Sequence, residues 1–443
     1  MEIKRILIAN RGEIALRALR TIKEMGKEAV VVYSTADKDA LYVKYADVAI
    51  CIGKERSSDS YLNIPAIISA AEISEADAIF PGYGFLSENQ NFVEICSHHK
   101  LKFIGPSVAA MALMSDKSKA KQMMQRAGVP VIPGSDGAVA DTKAAKELAK
   151  KIGYPVILKA AAGGGGRGMR VVEREEDIEK AFWSAESEAM SAFGDGTMYM
   201  EKYILNPRHI EVQVIGDSHG NVLHIGERDC SMQRRHQKLI EESPAILLDD
   251  DTRARLHETA IKAAKAIGYE GAGTFEFLVD KNLDFYFIEM NTRLQVEHCV
   301  SEMVSGLDII ELMIKVAQGE ALPPQESITL KGHAIECRIT AEDPNTFTPS
   351  PGKITKYVCP GGRNVRMDSH IYQDYSIPPY YDSMIGKLIV WDTDRNKAIH
   401  KMKVALEQLI IGGIKTTRDF HIAMMENQDF INNNYDTNYL SRR

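Results

Sequence analysis

The sequence predicts an α/β protein of two or three domains, and three observations carry that expectation. The chain has 443 residues, more than one ordinary core accommodates. Its N-terminal part alternates β-prone runs with helical periodicity, the pattern of βαβ units around a parallel sheet. A strand-rich stretch from Arg208 to His298 then follows a compact segment bounded by Pro and Gly.

Taken in order, Arg5–Asn10 reads as a strand, Glu13–Met25 as a helix, and Glu28–Ser34, Ala78–Phe80 and Leu101–Ile104 as strands. In a parallel sheet a ligand crevice lies at the carboxyl ends of the strands. Both Asn10-Arg11-Gly12-Glu13 and Pro81-Gly82-Tyr83-Gly84 fall at such ends. Neither is GxGxxG, and Gly386-Lys387-Leu388 is no Walker A motif, so a nicotinamide, flavin or P-loop reading is weak. A helix is expected over Met111–Ala127, closed by Gly128-Val129-Pro130. The compact segment reads helix Thr142–Ile152, strand Pro155–Lys159, a glycine loop, strand Gly168–Glu173, helix Glu176–Ser191 and strand Met198–Lys202. The last part mixes strands and helices around Pro-Gly turns.

Composition narrows the function. The apolar fraction is 44%, the charged fraction 26% and the net charge −7, which leaves no overall basic field for a nucleic acid backbone. No apolar run reaches the ~18 residues of a membrane helix. Ile6–Ala9 is too short for a signal peptide, so a cytoplasmic protein is expected. The six cysteines form no CxxC pair and read as reduced thiols.

The chemistry-bearing residues begin with an acidic pair. Phe275–Val279 and Phe285–Glu289 flank the polar stretch Asp280–Asp284, a hairpin signal. If Val279 pairs with Tyr286, Glu276 stands opposite Glu289. Like charges so placed are destabilising by roughly 0.2–1 kcal/mol, and a divalent cation reverses the sign. Asn291, two residues beyond Glu289, adds an amide oxygen, so the three form a hard-oxygen set suited to Mg²⁺ carrying phosphates. Lys159 ends a strand before Gly163, Gly164, Gly165 and Gly166, whose N–H groups can cradle an anion. In Arg293-Leu294-Gln295-Val296-Glu297, strand alternation puts Arg293, Gln295 and Glu297 on one face. An arginine can hold a small oxyanion there and a glutamate can take its proton. In Gln233–Lys238, His236 and Lys238 stand two apart and can face one anionic substrate; Lys117 opens a helix within reach of a phosphate.

With these motifs in place the chain resembles the biotin carboxylases of the ATP-grasp superfamily. The resemblance rests on Ile8–Ala15, Pro81–Asn89, Gly163–Arg170, Glu227–Lys238, Phe287–His298, Arg338–Pro344 and Pro349–Lys353. It implies an ATP-grasp fold of mixed α/β and α+β class. The N-terminal Rossmann-like parallel-sheet domain would cover 1–114 and the ATP-grasp region 115–316, with a mobile glycine-rich lid at about 131–203. A C-terminal mixed domain would cover 331–443.

The resemblance also implies roles. Lys117, Lys159, Gly163 to Gly166, His209, Gln233 and His236 would serve ATP, and Glu201, Lys202 and Leu278 its adenine. Glu276, Glu289 and Asn291 would hold Mg²⁺ or Mn²⁺. Lys238, Arg293, Gln295 and Val296 would seat bicarbonate, Glu297 would deprotonate it, Arg338 would stabilise the biotin ureido oxygen, and Tyr83 would line the biotin pocket. Two departures stand out: Ala161-Ala162 precede a shorter glycine run than relatives carry, and Thr417 replaces a usual asparagine.

No Ala-Met-Lys-Met motif is present, so biotin is expected on a separate carboxyl carrier protein, with separate carboxyltransferase subunits and a homodimeric carboxylase component. An acetyl-CoA carboxylase of fatty acid synthesis is the first expectation and a pyruvate carboxylase subunit the alternative. Another ATP-grasp ligase or an inactive nucleotide-binding subunit are the rivals. Arg338 and Gly82-Tyr83-Gly84 argue against the first, and the full set of charged site residues against the second.

Overall fold

The computed structural model describes residues 2–160 and 168–442. The glycine loop Gly163 to Gly166 and the Ala161-Ala162 departure lie outside the described residues. The chain divides into two compact units. The first is Met1–Ala127, Arg208–Phe277 and Glu289–Arg443; the second is Gly128–Pro207 and Leu278–Ile288.

The first unit opens with β1 (Arg5–Ile8), α1 (Gly12–Glu24), β2 (Glu28–Ser34), α2 (Leu41–Tyr45), β3 (Val48–Gly53), α3 (Ile64–Ile73), β4 (Ala78–Phe80), α4 (Gln90–His98) and β5 (Lys102–Phe103). All pairs are parallel, in the order β3-β2-β1-β4-β5. The order reverses at β1, so the crevice expected at the strand ends lies between the loops after β1 and β4. Asn10 Nδ2 ties those loops, donating to Pro81 O at 2.7 Å and Tyr83 O at 2.8 Å. Gly82 has φ +64°, and a Cβ there would meet Asn10 Nδ2 at 3.1 Å, so the tie and the turn both favour glycine.

The helix expected over Met111–Ala127 is two helices, α5 (Val108–Ser115) and α6 (Lys117–Arg126). Asp116 between them is extended, and its carboxylate accepts from the N–H groups of Ser118 and Lys119. An N-cap inside an apparently continuous pattern breaks it.

The second unit is a three-stranded antiparallel sheet with two helices: α7 (Thr142–Ile152), β6 (Val156–Ala160), β7 (Met169–Val172), α8 (Ile178–Phe193) and β8 (Met198–Lys202), in the strand order β7-β6-β8. Its own core includes Val156, Leu158, Phe182, Met198 and Met200.

The chain then builds β9 (Arg208–Gly216), β10 (Val222–Arg234), β11 (Gln237–Ser243), α9 (Asp250–Ala266), β12 (Gly271–Val279), β13 (Phe285–Asn291), α10 (His298–Ser305), α11 (Ile309–Gln318), β14 (His333–Thr340), β15 (Lys356–Val358), β16 (Val365–Ser369), β17 (Met384–Asp392), α12 (Arg395–Gln408) and β18 (Ile410–Gly412). Eight of these strands form one sheet, β13-β12-β9-β10-β11-β14-β17-β16, while β15 pairs with β18. The pairings from β9 to β16 are antiparallel. The sheet therefore runs without a break from the strand-rich middle of the sequence into its C-terminal part.

Candidate active site

Alternation along β9 places His209, Glu211 and Gln213 on one face. Lys238 and Glu241 come from β11, Glu276 from β12, Arg338 from β14, and Asn291 to Glu297 from the end of β13 and the turn into α10. Lys238 Nζ lies 2.5 Å from Glu211 Oε2, 2.6 Å from Glu297 Oε1 and 3.0 Å from Glu276 Oε1. Arg338 donates to Glu297 Oε2 at 2.9 Å and, through Nε, to Glu241 Oε1 at 2.6 Å. Arg228 Nε donates to Glu211 Oε1 at 2.6 Å. The result is a buried chain of alternating sign: Arg228, Glu211, Lys238, Glu297, Arg338, Glu241. Any anion entering here meets cations already aimed by carboxylates.

The electrostatics follow. Burial alone would raise the Glu297 carboxyl, but Lys238, then Arg338 and Arg228, hold it well below the usual carboxylate range. Burial likewise opposes charge on Lys238, yet Glu211, Glu276 and Glu297 keep it protonated, well above its ordinary value. Glu276 is pulled down by Lys238 and His209 against burial.

Beside this chain, Arg293 is held on three sides: Nε by Glu88 Oε2 at 2.9 Å, NH1 by Gln295 Oε1 at 2.9 Å and NH2 by Asn291 Oδ1 at 3.0 Å. The other Glu88 oxygen accepts from Thr292 N and Oγ1, each at 3.1 Å. Gln295 and Asn291 both donate to Glu276 Oε1, at 3.1 and 2.8 Å. Val296 O accepts from Lys387 Nζ at 2.8 Å. Lys387 lies 3.3 Å from Glu13, to which Tyr83 donates its hydroxyl. Burial pushes Glu13 up to about 7 against the pull of Lys387.

The stretch Arg293–Glu297 is not the strand its alternation suggests. It is irregular chain after β13, and Glu297 is the N-cap of α10. Arg293, Gln295 and Glu297 still converge, because Glu88, Glu276 and Lys238 capture them individually. The pairing of His236 with Lys238 on one face is also corrected. Arg235 and His236 have φ of 51° and 65° and form the two-residue turn between β10 and β11, where both are exposed. Lys238 points into the site and His236 does not share its face. Gln233, opposite Lys238 in the ladder, is buried.

Of the remaining expected residues in the first unit, His209 Nε2 lies 3.0 Å from Glu276 Oε2, and Lys117 lies 3.7 Å from Glu289 on a largely exposed side chain. Glu276 stands on β12, and Glu289 and Asn291 on the adjacent β13. Asn291 turns its Nδ2 to Glu276 and its Oδ1 to Arg293, so the two carboxylates are the hard oxygens that a small divalent cation takes. In the second unit Lys159 pairs with Glu201 at 2.5 Å. Lys202 donates from Nζ to Gly153 O and Tyr154 O, each at 2.9 Å, and its N–H is committed to Pro133 O at 2.7 Å. Leu278 belongs to the same unit, near the end of β12.

The sequence reading gave no role to Glu211, Arg228, Glu241, Glu88, Glu13 or Lys387. For Glu211 a signal existed: polar residues at every second position of an otherwise apolar strand, with His209 and Gln213 beside it.

Residues 2–111 match the family described as biotin carboxylase, N-terminal domain. Residues 116–325 match the carbamoyl-phosphate synthase L chain ATP-binding domain, and 336–442 the biotin carboxylase C-terminal domain. A biotin carboxylase of Nostoc sp. is 56% identical over 442 residues, covering 99% of each chain. The solved biotin carboxylase of Campylobacter jejuni, named as a β-γ-ATP complex, is 84% identical with a TM-score of 0.92, covering 100% of this chain and 99% of its own. The biotin carboxylase domain dimer of Hydrogenobacter thermophilus 2-oxoglutarate carboxylase was solved with MgADP, ADP and bicarbonate. It is 49% identical with a TM-score of 0.90, covering 100% of this chain and 98% of its own.

Proposed function

The chain belongs to the biotin carboxylases, a family of ATP-dependent ligases, and from that premise we propose that it carboxylates the ureido nitrogen of carrier-borne biotin with bicarbonate and ATP. The observation that carries the reading is Glu297, buried and shared by Lys238 and Arg338.

In this reading Arg293, Gln295, the backbone of Val296 and Lys238 seat bicarbonate beside Glu297. The anion shares the charge of Lys238 and Arg338, so their hold on Glu297 weakens and its proton affinity rises toward that of a useful base. Glu297 takes the bicarbonate proton, and the freed oxygen attacks the γ-phosphorus of ATP. The bond to the bridging oxygen breaks, giving ADP and carboxyphosphate. Carboxyphosphate divides into CO₂ and phosphate, and the phosphate takes the ureido proton. The nitrogen then attacks CO₂ while Arg338 stabilises the charge on the ureido oxygen.

Lys117, Lys159, His209, Glu201, Lys202, Gln233 and Leu278 are the residues we assign to the nucleotide. Glu276, Glu289 and Asn291 would hold Mg²⁺ or Mn²⁺, which when bound supplies neutralising charge to the phosphates. Tyr83 lines the biotin side.

The partners follow from the half-reaction: a biotin carboxyl carrier protein and carboxyltransferase subunits. The Hydrogenobacter dimer supports a homodimer here. We place the chain with acetyl-CoA carboxylase; a 2-oxoacid carboxylase is the second reading, favoured by the Hydrogenobacter relative. The test is ADP release with bicarbonate, with and without free biotin. Biotin stimulation supports the reading, and its absence sinks it. Capture of the carrier and carboxyltransferase from the native source decides the acceptor.

A further inference from the structure

Glu241 and Glu336 face each other as cross-strand partners on β11 and β14, and both are fully buried. Glu241 Oε1 accepts from Arg338, while Glu241 Oε2 and both oxygens of Glu336 have no hydrogen-bond partner among the described residues. Two carboxylates so placed in a low-dielectric interior do not both ionise.

The neighbouring cations serve Glu241 and leave Glu336 without a partner among the described residues. Arg338 on β14 is shared with Glu297 at the start of α10. Lys387 on β17, opposite Arg338, is engaged by Val296 O and Glu13. Lys238 on β11 is held by Glu211, Glu276 and Glu297. Cys299 on α10 donates to Asp368 and accepts from Arg366, whose guanidinium is also bonded to Asp368 and Glu302. Among the described residues, each of these cations is bonded to an acceptor other than Glu336.

We propose that Glu241 and Glu336 carry one proton between them at neutral pH, held on Glu336, and that the charge left on Glu241 positions Arg338 against Glu297. Burial pushes Glu336 well above the carboxylate range, with Lys387 opposing. Burial brings Glu241 up to about 7, opposed by Arg338. A second proton therefore enters near neutrality and releases Arg338 from its seat. Glu241 is a positioning residue, and its effect on turnover rests on the role proposed for Arg338; the place of the proton does not.

The test begins with infrared difference spectra of the substrate-free protein at about pH 8, well above the ordinary carboxylate range. The wild type should show the carbonyl stretch of a buried protonated acid. Glu336→Gln should remove that band and Glu241→Gln should keep it. In the biotin-stimulated assay Glu336→Gln, an isostere of the neutral acid, should keep turnover within about twofold. Glu241→Gln should lower kcat about tenfold with little change in KM for ATP, and should abolish the fall in activity as pH drops through about 7. Absence of the band in the wild type, or its survival in Glu336→Gln, overturns the shared proton. Equal loss of turnover in the two variants overturns the positioning role. The band is read without substrate, so it decides the proton's place whether or not biotin is the true acceptor.

Discussion

Glu297 accepts from two cations at once: Lys238 Nζ stands 2.6 Å from Oε1 and the Arg338 guanidinium 2.9 Å from Oε2. Glu297→Gln keeps the shape but cannot take a proton. It should lower bicarbonate-dependent ADP release by about 100-fold or more. ATP affinity, measured by fluorescence titration, should stay within a few-fold. Equal loss of both would remove Glu297 from the role of base.

Lys238 neutralises Glu211, Glu276 and Glu297 together. Lys238→Met leaves three buried carboxylates without their common partner, and should cost about 3–5 kcal/mol of stability in urea unfolding. Adding Glu211→Gln should recover part of that stability and none of the activity. A double variant no more stable than the single one would show that Glu211 and Lys238 are not coupled.

Glu88 reaches Arg293 across the fold and also holds Thr292. Glu88→Ala should let the guanidinium swing and raise KM for bicarbonate about tenfold, with KM for ATP nearly unchanged. Steady-state kinetics with each substrate varied in turn would read the difference.

Four buried histidines work against stability on mild acidification. Burial lowers His298 and His370 to about 3 and His421 and His224 to about 4, the last helped by His257. In the unfolded chain these imidazoles titrate near their ordinary value of about 6.5. Between those limits the unfolded state binds more protons, so stability rises with pH and is lost as pH falls from about 6.5 toward about 3 to 4. Buried Glu13, Glu241 and Glu336, all raised, act in the opposite sense over the same interval, so the histidine share is read by difference: between about pH 6.5 and 4.5 the Tm of the wild type should fall more steeply than that of His370→Gln. Parallel profiles would mean that His370 is solvated.

Much of this was legible in the sequence. The parallel sheet followed from alternating strands and helices, and the loops after β1 and β4 were correctly placed at the crevice. Reading failed where a long-range partner overrode a local pattern. Five residues of alternation suggested a strand at Arg293–Glu297, but Glu88, 205 positions away, captures Arg293, and α10 begins at His298. The two-residue period at His236 and Lys238 was likewise real in sequence and broken in space by a turn. The buried acids Glu241 and Glu336 gave little local warning, because a carboxylate in a β-prone run reads as solvent-facing until the strand on either side is known.

The pairing of β11 with β14 has a further consequence for how this protein can be divided. Lys238 and Glu241 lie on one strand and Arg338 on its neighbour, so the buried chain of alternating charge is a property of the whole sheet. A fragment ending before β14 would lose Arg338 and expose β11 as an open edge, inviting association with other chains. The ATP-binding segment is therefore not a transplantable module. Any division of the chain that keeps these buried charges paired has to carry all of the strands together.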